Sequence, residues 1–143
     1  MALVAQPADA PAVVEDGDTL EANARLKAVA ICTATGRAAV ADDTGLEVDA
    51  LGGAPGVHSA RYAGEECDAG ANMARLLAEL DGVPTGRRTA RFRTVALVRR
   101  PDGTEVQATG TVEGHIAEAP AGDAGFGYDP LFVPIEGDGR TFA

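Results

Sequence analysis

Apolar residues recur at helical spacing in two stretches of the chain and at strand spacing in several others. Leu20, Ala24, Ala28 and Ile31 fall on one stripe of a 3.6-residue period. Asp18, with Glu21 three residues on, has the form of a capping box, and Gly36 supplies a C-terminal stop, so a helix is predicted from Thr19 to about Thr35. A second helix is predicted from about Ala69 to Leu80. There Met73, Leu76, Leu77 and Leu80 share one face, and Gly82 with Pro84 ends the run. Ala38 to Ala41 is a short apolar run that reads as a buried strand, followed by Asp42-Asp43-Thr44-Gly45 as a turn and then Leu46-Glu47-Val48. Thr89 to Val98 and Thr104 to Ile116 are strand-like and flank Pro101-Asp102-Gly103, which makes the clearest hairpin of the sequence. Two shorter strands are expected at Leu3-Val4-Ala5 and Leu131-Phe132-Val133, and the glycine-rich segment from Leu51 to Val57 reads as a constrained loop. Helices and strands mixed in this order predict an α/β domain whose sheet contains at least one antiparallel pair.

Composition narrows the partners. At 143 residues the chain fits one domain, and residues 1–143 are read as a single unit. Aromatics make up only 4% and Trp is absent, so the core is built from small residues that each bury little area. The net charge of -10 argues against sequence-independent nucleic-acid binding, which needs basic residues to neutralise phosphates. A small polyanion is a different case, because a divalent cation held by carboxylates supplies the positive charge locally. Cys32 and Cys67 lack CxxC spacing, and no signal peptide or long apolar stretch accompanies them; reduced thiols in a cytoplasmic protein with no membrane span are expected.

Few residues qualify to carry chemistry. Asp42 and Asp43 follow an apolar strand, where open α/β sheets place ligands, and Mg²⁺ is the natural counter-charge for adjacent carboxylates. The competing reading makes Asp-Asp-Thr-Gly a turn whose residues serve backbone geometry. Glu15 either adds a third carboxylate to the same ion or belongs to a solvated acidic loop before the first helix. Arg61 faces phosphate or pairs with a surface acid, and Lys27, the only lysine, and Arg25 lie within the first helix, where exposed ion pairs are expected. Gly125-Phe126-Gly127-Tyr128-Asp129-Pro130 places two aromatics and an acid among glycines. That is the composition of a base-stacking loop or of a tight turn whose rings plug the core. Arg87, Arg88, Arg91 and Arg93 serve a partner or phosphate, or protect a strand edge with charge. His58 and His115 lack ligand spacing, and no P-loop, nucleophile elbow or zinc motif occurs.

Four blocks occur in one order: Thr19 to Ala28, Ala41 to Leu46, Leu51 to Tyr62, and Gly125 to Pro130. Together they resemble the inosine triphosphate pyrophosphatase family, the non-canonical purine nucleoside triphosphate pyrophosphatases. The resemblance implies an elongated α/β fold with a long mixed sheet and a β-hairpin, usually a homodimer. It also implies Mg²⁺-dependent hydrolysis of ITP, dITP or XTP to monophosphate and pyrophosphate. Carried over by position, Asp43 matches the catalytic acid, Asp42 its support and Glu15 the upstream metal residue. Thr44 matches a hydroxyl residue that contacts substrate, Lys27 the lysine closing the Asn-Ala block, and Phe126, Gly127, Tyr128 and Asp129 the base-recognition loop. Ala22 stands where the family usually has glutamate. The family's opening phosphate-cradling block and its closing Ser-His-Arg segment have no counterpart here, so the chain is expected to be a member shortened at both ends. Rival expectations are a binding-only or inactive relative, and a structural fragment that oligomerises through the Thr89 to Ile116 hairpin.

Overall fold

The computed structural model describes residues 2–143. Helix α1 spans Leu20–Thr35 and α2 spans Ala69–Glu79, while the strands are β1 (Ala39–Val48), β2 (Pro55–Gly56), β3 (Thr89–Arg99), β4 (Glu105–Ile116) and β5 (Phe132–Pro134). They form a five-stranded antiparallel sheet in the order β2-β1-β3-β4-β5. The expected α/β class, with its long hairpin and flanking helices, is what forms.

The chain resolves into two compact units. Among the described residues one comprises 2–43 and 94–109, and the other 44–93 and 110–143. In the first, Leu20, Ala24, Ala28 and Cys32 form the buried stripe of α1. Thr19, not Asp18, caps this helix: its side chain accepts from the Ala22 N–H at 3.1 Å, which leaves Asp18 one residue outside. Gly36 closes the helix at φ 65, a left-handed cap that glycine adopts at least cost. Leu3-Val4-Ala5 does not form the expected strand; all three residues are exposed and outside the sheet.

The second unit holds the larger core, in which Leu46, Val48, Leu76, Leu80, Ile116, Leu131 and Phe132 are fully buried. Asp68 caps α2 by accepting from the Ala71 N–H at 2.6 Å. β2 folds back on β1 with Leu46 opposite Gly56, and β5 pairs with β4 with Ile116 opposite Phe132. Arg88 is buried without an acid. Its guanidinium donates to the carbonyls of Leu80, Val83 and Ala117, tying the end of α2 to the chain beyond it.

The main departure from the sequence reading lies in β1. Asp42-Asp43-Thr44-Gly45 is not a turn after a strand; the strand runs through it from Ala39 to Val48. β1 continues into a ladder whose other neighbour is β3, while β2 pairs only with Leu46 and Glu47, and this sheet context overrides the local turn preference of those residues.

Candidate functional site

In a strand successive side chains point to opposite faces. That alternation separates the two aspartates: Asp43 is half-buried, whereas Asp42 is exposed on the other face, as Thr44 is. On the buried side Asp43 meets α1. The Lys27 ammonium donates to Asp43 Oδ1 at 3.1 Å and to Glu15 Oε2 at 2.9 Å, so two carboxylates from distant parts of the sequence converge on one cation. Asn23, one helical turn before Lys27, is 2% exposed, and its amide acts to lower the Asp43 pKa. Its Oδ1 accepts from the Gly17 N–H at 2.8 Å, which fastens the segment carrying Glu15 to the helix.

The electrostatics of this cluster are opposed. Burial raises the Asp43 pKa above 3.8, against the lowering pull of Lys27 and Asn23. Burial acts to lower the Lys27 pKa, but the bonds to Glu15 and Asp43 outweigh it and hold the value above 10.5. Glu15 and Asp43 suit a hard divalent cation that takes one or two carboxylates and completes its shell with water and phosphate oxygens. Among the described residues no group of three or more His, Cys, Asp or Glu side chains is placed to hold a metal, and Asp42 does not join the other two acids.

The remaining predicted residues lie in the second unit. Arg61 ends the 3₁₀ turn Ser59–Arg61, which is pinned on both sides. Ser59 Oγ donates to the Gly56 carbonyl at 2.6 Å and accepts from the Leu46 N–H at 2.8 Å, and Asn72 bonds the backbone of Ala60 and Ala63. The Tyr62 hydroxyl donates to Glu79, and the Arg75 guanidinium lies over the Tyr62 ring at 4.3 Å.

The loop from Gly125 to Pro130 divides its aromatics. Tyr128 is buried, with its hydroxyl donating to the Ser59 carbonyl at 2.7 Å, so its ring plugs the core. Phe126 is 86% exposed and available for stacking. Asp129 Oδ2 accepts from the Phe126 N–H at 2.9 Å and shapes the turn; a Cβ on Gly125 would collide with that carboxylate. Gly127, at φ 58, takes the left-handed conformation the turn requires.

The family model described as the Ham1 family matches residues 2–143. The chain belongs to the Ham1 family. It is 59% identical over 128 residues to the dITP/XTP pyrophosphatase of Nitratidesulfovibrio vulgaris, covering 85% of this chain and 61% of that protein. It is 53% identical over 135 residues to the dITP/XTP pyrophosphatase of Geobacillus kaustophilus, covering 94% and 66%. The solved Ham1 protein of Staphylococcus aureus superposes with a TM-score of 0.85 at 43% identity, covering 92% of this chain and 67% of that one. The chain thus spans about two thirds of the length of these relatives.

Within this Ham1 family chain the structure brings Glu15, Lys27 and Asp43 together in one unit and sets Arg61, Tyr128 and Asp129 in a pinned framework in the other. Lys27 is not the exposed helix ion pair of the simpler reading. Arg25 is, with Glu105 at 2.9 Å. Of the arginine cluster, Arg91 pairs with Asp49 and Glu113 and Arg93 with Glu47, which favours charge protection of the sheet over phosphate binding. Asn23 was not singled out from the sequence. Its signal is the Asn23-to-Lys27 spacing of four, which puts a neutral amide and an ammonium on one helix face.

Proposed function

We propose that this chain carries the cation-binding core of an enzyme that cleaves non-canonical purine nucleoside triphosphates to monophosphate and pyrophosphate. The observation that carries this reading is the convergence of Glu15 and Asp43 on Lys27, inside a family whose relatives are named dITP/XTP pyrophosphatases. Glu15 and Asp43 would hold Mg²⁺, with Asp42 adding negative potential from the opposite face of the strand. The ion supplies charge neutralisation to a bound polyphosphate. Asp43 orients a water and takes its proton as the water oxygen bonds the α phosphorus and the bond to the β phosphate breaks, releasing pyrophosphate. A carboxyl raised by burial is better matched to that proton than an ordinary aspartate.

Lys27 holds the carboxylates in place, and Arg61 and Thr44 contact phosphate. The exposed Phe126 ring stacks on the base, while the turn shaped by Gly127, Tyr128 and Asp129 presents polar groups that separate a 6-oxo from a 6-amino purine. One folded domain, a homodimer and a cytoplasmic setting complete the proposal. Two unpaired cysteines support a reducing compartment.

Pyrophosphate release from ITP with Mg²⁺, measured for the wild type and Asp43→Asn, tests the reading. A loss of about 10²-fold or more is expected in the variant. Equal rates end the catalytic assignment of Asp43, and binding of ITP without release by the wild type leaves a nucleotide-binding relative.

A further inference from the structure

The buried phenol of Tyr128 joins two segments that are far apart in sequence. Its hydroxyl donates to the Ser59 carbonyl at 2.7 Å, across 69 residues of chain. Ser59 opens the turn Ser59–Arg61, and its Oγ is fixed in turn by the Gly56 carbonyl at 2.6 Å and the Leu46 N–H at 2.8 Å. Leu46 and Gly56 are themselves partners in the β1–β2 register, so the carbonyl that receives the phenol is anchored to the sheet. At the other end the Tyr128 carbonyl accepts from the Leu131 N–H at 2.8 Å and the Phe132 N–H at 3.2 Å, at the entry to β5. Asp129 closes the loop beside it: its N–H bonds the Phe126 carbonyl at 3.1 Å and its Oδ2 the Phe126 N–H at 2.9 Å. The exposed Phe126 ring thus stands on a turn that is rooted through Tyr128, in the same compact unit as Arg61.

We infer that Tyr128 is a positioning residue whose hydroxyl, on the Ser59 carbonyl, holds the Phe126 loop and the Arg61 turn at one separation, so that the site favours a ligand whose base and phosphate chain are spaced to match. Taking Phe126 as the base contact and Arg61 as the phosphate contact rests on the function proposed above; the link between the two segments does not. Filling the core does not account for the hydroxyl. Phenylalanine would occupy the same space and remove the donor that satisfies the carbonyl of the buried Ser59. The link matters most to a ligand with two ends. Once one end is bound, the other binds as an intramolecular event, and that advantage is lost when the two contacts drift from the spacing the ligand can span. A phenol suits the purpose, because its rigid ring has only two side-chain torsions and leaves little slack between backbone and hydroxyl.

Titrations of the whole chain with Mg²⁺, followed by NMR at the Phe126 and Arg61 amides, compare ligands that use both ends with ligands that use one. In Tyr128→Phe the Kd for ITP should rise about tenfold or more. Inosine, which lacks the phosphate end, and inorganic tripolyphosphate, which lacks the base end, should each bind within about twofold of the wild type. Equal weakening of all three reports general loosening and overturns the inference, as does the absence of a selective loss for ITP. Amide hydrogen exchange tests the link with no ligand present. In the same variant the Arg61 N–H, bonded to the His58 carbonyl, and the Asp129 N–H, bonded to the Phe126 carbonyl, should both exchange about tenfold faster or more. The Leu80 N–H, bonded to the Leu76 carbonyl at the end of α2, should stay within about twofold. Acceleration at one of the two segments alone, or at Leu80 to the same degree, overturns the link. Should Tyr128→Phe not fold, Ser59→Ala releases the same carbonyl from its bonds to Gly56 and Leu46 and carries the same selective loss for ITP. A wild type that binds neither ITP nor tripolyphosphate removes the function proposed above, and the exchange result then decides the link by itself.

Discussion

Lys27→Met keeps an aliphatic stem of similar length and deletes the charge that holds Glu15 at 2.9 Å and Asp43 at 3.1 Å. The three side chains are 25%, 38% and 14% exposed, between a surface pair and a buried one. Surface pairs contribute about 0–1 kcal/mol and breaking a buried one costs about 3–5, so a loss of about 1–3 kcal/mol is expected at neutral pH. With an m of about 2 kcal/mol/M, the urea midpoint falls by about 0.5–1.5 M. The pH dependence discriminates charge from packing. The Lys27 pKa is raised above 10.5, so its contribution is in place below that value and lost as pH rises through the folded one. Burial raises Asp43 above 3.8, so ionising this carboxyl costs stability as pH climbs from 3.8 through its folded value. Lys27 is the largest influence opposing that cost, and without it the folded pKa of Asp43 moves further up. The deficit of the variant is therefore greatest near neutral pH and shrinks toward zero well below 3.8, where Asp43 is protonated folded or unfolded. Urea unfolding of both proteins at pH 7 and at about pH 3 measures it. The same deficit at both values would place the cost in the stem and refute the electrostatic account.

Gly114→Ala should destabilise by about 1–3 kcal/mol in urea unfolding, since a Cβ there would stand 2.5 Å from both Phe132 Cζ and the Val133 carbonyl oxygen; a loss under about 0.5 kcal/mol would show that β5 gives way easily. Burial, aided by the bond to Glu79, pushes Tyr62 up to about 12, and burial raises Tyr128 as well. The contribution of Tyr62 is thus in place below its ordinary 10 and lost as pH rises through about 12. An ultraviolet titration should show no phenolate step near 10 while the protein is folded, and such a step would contradict the buried placement. Phe126→Ala should leave stability within about 0.5 kcal/mol, because the ring is 86% exposed, yet weaken ITP binding in calorimetry by about 1–3 kcal/mol; unchanged affinity would remove Phe126 from base recognition.

Elements whose cause is local were legible in the sequence. The α1 stripe, the Gly36 stop, the Pro101-Asp102-Gly103 hairpin and the α2 face all appear within about two residues of their predicted bounds. Each is written in spacing and turn chemistry that the fold leaves intact. The residues that misled are those where a distant partner decides. Asp18 is the local exception, losing the cap to the adjacent Thr19, whose side chain accepts from the Ala22 N–H. Leu3, Val4 and Ala5 have strand composition, but no neighbouring strand pairs with them among the described residues. Arg88 looks like one more surface arginine, and only the path of the chain around the end of α2 buries it among three carbonyls.

The same distinction governs the candidate site. A turn at Asp42-Asp43 would let both carboxylates face one ion, whereas a strand gives each its own face, and the pairing of β1 with its neighbours selects the strand. One aspartate then remains to meet the Lys27 ammonium, and the second acid comes from outside the strand. Glu15 supplies it, but a carboxylate on an irregular segment has no fixed position of its own. The helix compensates with its 3.6-residue period: Asn23 and Lys27, one turn apart, present an amide and an ammonium to the same side. The amide fixes where the Glu15 segment runs, and the ammonium draws the two acids together. The geometry of the site is therefore set by a strand register and a helix period acting together, which is why the acidic pair that stands out in the sequence is not the pair that meets in the fold.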